Sequence, residues 1–405
     1  MTSQVLAARP SLRAAPMARA TDRLRVMQVI NSLVVGGAEQ LLVTLAQHID
    51  ADRYDLRVCS LSPLDGTPIE RDLRALGVPV YSVSETTRHD ARHVARLAAL
   101  TRRLNVDVLH THLPYANIIG TLAGAAARRP VVSTLHNVRS VHNPYNWDGR
   151  LKEGLQTWLL RYGVRTVIAC APEVRAMATG ELGLPACHVV DIPNGIDTVA
   201  VAAVSPAEAA ARRAELLAGA AGPLVLAVGN LLIAKGHVVL VEAAALLRPR
   251  FPGLRVAIVG REGEGAPAVR ERIAALGLER HVALVGQRRD VPALLAAADA
   301  FALPSLWEGL PLALLEAMAA GTPTVATAVG GMLRVLEDGV TGRLVAPGDA
   351  GALAEALGDL LSDPVGARAL AAAGQAHVRA VYGAPTWADH LQSIYSEVAV
   401  RQARP

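Results

Sequence analysis

Aromatic residues are scarce in this 405-residue sequence: Phe, Trp and Tyr make up 3%, with only two Phe in all. The interior must therefore be built from Leu, Val, Ile and Ala. Cys59, Cys170 and Cys187 are the only cysteines, with no C-x-x-C pair and no metal-ligand spacing. That excludes a disulfide scaffold and reads as small buried thiols in a reducing cytoplasm. Lysine is confined to positions 152 and 235 among 40 basic residues, so a lysine inside a motif stands out. No Gly-X-Y period and no sustained heptad is present, which removes collagen and coiled coil. Hydrophobic residues at 52% against 19% charged exclude disorder over most of the length.

Long apolar runs are missing too. The stretches Val108–Ala127 and Leu216–Ala234 lack Asp, Glu, Lys and Arg, but the first holds His110, His112, Pro114 and Asn117. The second is broken by Gly219, Gly222, Pro223 and Gly229, so neither reads as a membrane span. Residues 1–22 contain Arg9, Arg13 and Arg19 among Ala and Pro without the apolar core of a signal peptide, and read as a disordered tail. The net charge of +4 suits anionic small molecules or an acidic lipid surface; it is too weak and too dispersed to indicate nucleic acid.

What is present is a rhythm of short apolar strand, loop and helix. It begins at Leu24–Asn31 and continues through strands expected at 54–61, 78–83, 106–110, 131–135, 166–169 and 189–192. An Ala-rich segment, 198–222, reads as a linker followed by a helix. The rhythm then restarts, with strands expected at 223–228, 255–259, 282–285, 300–304, 324–326 and 342–345. Unalternated apolar strands between helices mean parallel sheets covered on both faces. The fold class is α/β: two doubly wound Rossmann-like domains facing a cleft, 23–197 and 198–384, with a terminal helix in 385–405. Ligands in such sheets sit beyond the carboxyl ends of the strands.

The sharpest segment is Pro304–Gly321, PSLWEGLPLALLEAMAAG. Gly309 lets backbone approach a ligand, Pro311 suits a first helical turn, and amides around Leu310 to Leu312 would offer unpaired helix-end donors to a phosphate. Glu316, within the helix, can accept from two vicinal hydroxyls. A second segment, Val228–His237, ends a strand at Gly229 and opens a helix after Lys235-Gly236. A third, Val259–Gly265, is a Gly-rich turn of little specificity alone. His110 and His112 share a strand face, with no third metal ligand nearby.

In this order the pieces resemble the retaining family 4 glycosyltransferases of GT-B architecture. Glu308 and Glu316 match the E-x7-E motif, Gly229–Gly236 the strand–G…K–G element, and 36–39 (GGAE), 134–136 (TLH) and 192–197 (IPNGID) further motifs. The resemblance spans about residues 24–395. It implies that Lys235 binds the donor diphosphate, Glu308 contacts the transferred sugar, Glu316 holds the ribose and His136 lies beside the sugar. It also implies that the Gly36-Gly37 loop and the Gly309–Leu310 backbone approach the phosphates or sugar. Asn230 is expected to bind substrate but stands where many members carry Arg; without that positive charge the diphosphate leans more on Lys235, the helix end at Pro311 and Gly37. Arg261 likewise replaces an acidic residue often seen in the third segment.

The expected activity is transfer of a hexosyl-type sugar from a nucleotide-diphosphate sugar to a glycan, glycolipid or small-molecule hydroxyl in polysaccharide or cell-envelope glycan synthesis. The nucleotide sugar is a substrate, and neither a cofactor nor a metal is expected. Competing readings are a GT-B epimerase or phosphorylase, and a non-catalytic nucleotide-sugar binder suggested by Asn230. Arg88, Arg92 and Arg96 at spacing four, followed by Arg102-Arg103, could rest on an anionic membrane or form a solvated basic face.

Overall fold

The computed structural model of the chain describes residues 23–85, 90, 92–137 and 147–403. The N-terminal tail and Arg88 of the basic segment lie outside the described residues. Thirteen strands are present among them. Seven form the first sheet: β1 (Leu24–Ile30), β2 (Tyr54–Ser60), β3 (Val80–Ser82), β4 (Val108–His112), β5 (Val131–Leu135), β6 (Thr166–Ala169) and β7 (Val189–Asp191). Six form the second: β8 (Leu224–Val228), β9 (Arg255–Val259), β10 (Val282–Gly286), β11 (Ala300–Leu303), β12 (Thr324–Thr327) and β13 (Arg343–Val345). The orders are β3-β2-β1-β4-β5-β6-β7 and β10-β9-β8-β11-β12-β13, and every pairing is parallel.

The second sheet shows why such strands are apolar without alternation. In β8, Leu224 and Leu226 join one apolar cluster while Val225 and Ala227 join another. Phe301 and Leu303 of β11 divide from Ala300 and Ala302 in the same way. Side chains alternate across the sheet, and helices cover both faces.

Two expectations shift. Strand β4 runs to His112, two residues beyond the expected end, because its histidines are buried and hydrogen-bonded rather than solvated. The 198–222 segment forms two capped helices. Asp197 accepts from the amides of Val199 and Ala200 to start Thr198–Ala202, and Ser205 with Glu208 forms a capping box for Pro206–Leu217.

The helix Ala384–Ala403 leaves the second half and packs on the first. Its Tyr395 is fully buried and lies edge-on to Tyr54, with ring centres 6.4 Å apart.

Each sheet reverses its strand order once, between β1 and β4 and between β8 and β11. Crevices beyond the carboxyl ends at such reversals are where open α/β sheets bind ligands. The loops leaving β8 and β11 hold Lys235 and Glu308; the loop leaving β1 leads to Gly36-Gly37, and β4 ends on His112.

Candidate active site

The loop after β11 is built from fixed contacts. Thr327 Oγ1 donates to the Ser305 carbonyl at 2.5 Å, and Leu306 N–H to the Ala234 carbonyl at 2.7 Å. Ser305 Oγ donates to Glu308 Oε1 at 2.9 Å, and Lys235 Nζ contacts the same oxygen. Glu308 is 8% exposed, so this pair holds its charges close together with little water between them. The lysine stem lies over Gly229, and Gly236 turns the chain with φ +60° against the Pro304 carbonyl. A side chain at 236 would suffer both the left-handed backbone and a clash.

The two halves meet at Gly309. A Cβ there would stand 2.1 Å from the carbonyl oxygen of His136. Gly331 N–H donates to the Gly309 carbonyl at 2.6 Å, and Asn194 Nδ2 to the Leu310 carbonyl at 2.9 Å. The Leu310 amide lies against the Cys170 thiol, whose pKa burial pushes up to about 12. The Leu310 backbone, expected near sugar or phosphate, is thus committed within the protein.

Two other expected residues are placed differently from the sequence reading. Pro311 is not in the first helical turn: it is the N-cap of Leu312–Ala319, with an extended backbone. The donors left free by helix geometry belong to residues 312 onward, since Pro has no N–H. Asn230, expected to bind substrate, points its Oδ1 at the Arg261 amide, 3.0 Å away. A short amide at a strand end satisfies the nearest free backbone donor, here on the neighbouring strand's turn. The bond holds the two Gly-rich turns together, as do Leu231 N–H to the Arg261 carbonyl at 2.9 Å and Gly265 N–H to the Leu231 carbonyl at 2.8 Å.

Glu316 lies in the second turn of its helix. Its side chain makes no hydrogen bond or ion pair with the described residues, and burial raises its carboxyl to about 7. Part of the residue remains accessible between the buried Leu315 and Ala317. The combination is a desolvated carboxylate on a residue that is not wholly sealed from solvent.

In the first half, Gly36 is the uncapped N-terminus of Gly37–His48, and Gly37 is exposed. Glu39 folds back over Gly36 and is buried. Burial raises its carboxyl to about 7, opposed by a hydrogen bond from its own amide and by the charge of Arg261. Glu39 was not singled out from the sequence; its place in the GGAE motif was the available signal. His136 is half-buried, with Nε2 3.0 Å from His112 Nδ1, and burial lowers it to about 4. Just after β4, Leu113 has φ +73° and ψ 154°, a region nearly restricted to glycine. Strain of this kind collects at working sites.

His110 and His112 are occupied by hydrogen bonds to Tyr395, Thr134, Gln28 and His136. Among the described residues no three His, Cys, Asp or Glu side chains are grouped to hold a metal. In the basic helix Arg92–Arg103, Arg92 pairs with Asp90, Arg96 reaches the Val83 carbonyl and Arg102 the Ala126 carbonyl. No helix among the described residues is long and apolar enough to cross a membrane.

Two facing α/β halves with a charged switch-point crevice are the architecture of the GT-B glycosyltransferases. Residues 210–377 match the Glycosyl transferases group 1 family, and residues 35–200 match Glycosyltransferase Family 4. The chain is 31% identical over 374 residues to the phosphatidyl-myo-inositol mannosyltransferase of Mycobacterium leprae, covering 90% of this chain and 94% of that one. It is 25% identical over 355 residues to the UDP-Gal:alpha-D-GlcNAc-diphosphoundecaprenol alpha-1,3-galactosyltransferase of Escherichia coli, covering 85% and 89%. Anabaena Alr3699/HepE, solved in complex with UDP, superimposes with a TM-score of 0.78 at 25% identity, covering 92% of this chain and all of that one. The chain belongs to the family 4 glycosyltransferases and acts on a nucleotide sugar.

Proposed function

We propose that the chain transfers a hexosyl sugar from a nucleoside-diphosphate donor to a hydroxyl of a glycan or lipid-linked acceptor, with retention at the anomeric carbon and without a metal. The observation that carries this reading is the meeting of Lys235 and Glu308 in the switch-point crevice, with the adjoining Gly309 set against His136. A diphosphate there would draw on Lys235 and on the free amides of the helix beginning at Leu312. Glu316 would accept from the two ribose hydroxyls, and Glu308 and His136 would face the sugar.

Among the described residues no side chain is arranged as an obvious nucleophile, which favours a front-face reaction. The bond from the anomeric carbon to the diphosphate oxygen breaks as the acceptor oxygen bonds to the same face. The departing diphosphate takes the acceptor's proton. Positive charge on the sugar and negative charge on the phosphate develop together, and Lys235 with the helix-end amides stabilises the latter. The relatives that act on a diphosphoundecaprenol-linked sugar and on phosphatidyl-myo-inositol support a lipid-linked acceptor. The anionic membrane contact along Arg88–Arg103 draws little from the geometry, since three of its arginines already bind carboxylate or carbonyl oxygens.

Thermal-shift titration with UDP-, GDP- and ADP-sugars identifies the donor, and NMR of the product's anomeric proton reads the stereochemistry. Binding of no nucleotide sugar would reject the donor site. An inverted product would reject the front-face reaction, and loss of turnover in EDTA would reject metal independence.

A further inference from the structure

Under the C-terminal helix, β1, β4 and β5 carry polar side chains that the transfer chemistry leaves unused. Gln28, His110, His112, Thr134 and Tyr395 are each at most 6% exposed. Polar groups in such a place are costly unless each finds a partner. These find partners in a single line. Tyr395 Oη accepts from Gln28 Nε2 at 3.0 Å and lies 2.7 Å from His110 Nδ1. His110 Nε2 lies 2.7 Å from Thr134 Oγ1. On the other side, Gln28 Oε1 is 2.7 Å from His112 Nε2, and His112 Nδ1 is 3.0 Å from His136 Nε2.

Such a line permits two proton arrangements, because a neutral imidazole has one N–H and one lone pair, and an amide has a donating and an accepting end. The orientation of Gln28 selects between them. With its NH2 on Tyr395 and its carbonyl on His112, His112 must donate from Nε2. His112 Nδ1 is then a lone pair, and His136 must donate to it from Nε2. Tyr395, having accepted from Gln28, gives its proton to His110 Nδ1, and His110 donates onward to Thr134. Turning the amide over would reverse every one of these roles. Burial depresses all three histidines, His110 to about 3 and His136 to about 4, with His112 also well below its ordinary value, so the rings stay neutral and the tautomer question is real.

We propose that Gln28 and Tyr395 are positioning residues that hold His136 in its Nε2–H tautomer, leaving Nδ1 as a hydrogen-bond acceptor for a hydroxyl of the donor sugar. The C-terminal helix thereby sets the proton pattern of the site without touching the substrate. The step toward the sugar rests on the placement of His136 under the proposed function. The tautomer itself can be measured with no substrate present.

The test uses the full chain labelled with 15N-histidine, with the His136 ring signals assigned by their loss in His136→Asn. The wild type is expected to show a protonated Nε2 and a bare Nδ1. Tyr395→Phe removes the acceptor that orients the Gln28 amide. One hydrogen bond's worth of bias then moves the His136 tautomer ratio about 2- to 12-fold toward Nδ1–H. Tyr54→Phe is the control. Its hydroxyl binds the same helix at the Gln392 carbonyl, 2.9 Å, and Ser396 Oγ, 2.7 Å, but stands outside the line, so the tautomer should not move. In turnover of UDP-, GDP- or ADP-hexose, Tyr395→Phe should lower kcat by no more than that factor, in step with the measured loss of the Nε2–H fraction, with donor KM little changed, and Tyr54→Phe should change neither. A wild-type His136 protonated on Nδ1, unmoved signals in Tyr395→Phe, or an equal displacement in Tyr54→Phe overturns the proposal. If the tautomer responds while His136→Asn retains full turnover, the proton line stands and the placement of His136 beside the sugar falls.

Discussion

The two sheets bring opposite chemistry to the crevice. The second supplies charge: Lys235 and Glu308 paired on adjoining loops, and Glu316 without a partner among the described residues. The first supplies uncharged polarity: helix-end amides after Gly36, and histidines that burial keeps neutral. Under the proposed reaction a leaving diphosphate demands cations and a developing negative charge demands fixed donors, so the charged half would do the electrostatic work. A sugar's hydroxyls demand directed donors and acceptors, which neutral imidazoles supply without attracting stray ions.

Removing the cation should have the largest effect. Lys235→Ala is expected to lower kcat by roughly 10²–10³-fold, as loss of a transition-state charge partner does. It also leaves Glu308 buried without its cation, at a cost of about 3–5 kcal/mol in urea unfolding. Adding Glu308→Gln should recover the stability and not the activity. Recovery of both would mean that the pair is a structural strut rather than part of the electrostatic half.

The seam between the halves comes next. Gly309→Ala would drive a methyl into the His136 carbonyl, with backbone on both sides and no flexible atom to yield. Each sheet should still unfold cooperatively, but displacement of the charged loop from the neutral one by about 1 Å should lower kcat roughly 100-fold. Near-normal turnover would show that the two regions need no close registration.

Much of this contrast was legible in the sequence, for identifiable reasons. Thr166–Ala169 and Arg255–Val259 are each one polar residue followed by an apolar run, Val131–Leu135 is rich in β-branched residues with only Ser133 and Thr134 polar, and all three form strands over those same residues. Lys235 and Glu308 stood out because each sits after an apolar strand in a glycine turn. The neutral half was harder to read. Gln28 and Tyr395 are separated by 367 positions, so nothing local marks them as partners. The histidines of β4 interrupt the hydropathy that defines a strand, which put its expected end at His110. Asn230 sits at a strand end where the resemblance places a substrate-binding residue, yet its side chain accepts from the amide of a neighbouring turn. Charge motifs are local in sequence; hydrogen-bond lines assembled across strands and a returning helix are not.

Glu316→Gln tests whether the charged half keeps an unpaired acid at a cost. The folded-state carboxyl is raised to about 7 from an ordinary 4.5, so the folded protein holds that proton more tightly than the unfolded chain. Wild-type stability therefore declines as pH rises from 4.5 through 7, and Gln escapes the decline. The variant should be about 1–3 kcal/mol more stable than wild type at pH 8 and nearly equal at pH 4.5. Donor KM should rise about tenfold, through loss of hydrogen bonds to a charged acceptor. The wild-type KM should also rise as pH falls below 7, whereas that of the variant should not. A variant no more stable at pH 8 would show that the acid carries no such cost, and an unaltered KM would place Glu316 outside the site.

The smallest expected effect concerns a second link between the halves. Arg289 Nη2 donates to both carboxylate oxygens of Asp72, at 2.6 and 2.7 Å, joining the segment before Val291–Ala297 to the helix Pro68–Ala75. The geometry is good, but the side chains are 59% and 34% exposed, and exposed pairs of this kind contribute under about 1 kcal/mol. Arg289→Ala should therefore move Tm by only a degree or two, leave kcat and KM within about twofold, and lose even that difference in roughly 0.5 M salt. A drop of many degrees, or a marked rise in KM, would mean that surface charge aligns the halves. The backbone fit of Gly309 on His136 would then be a consequence of their alignment and not its cause.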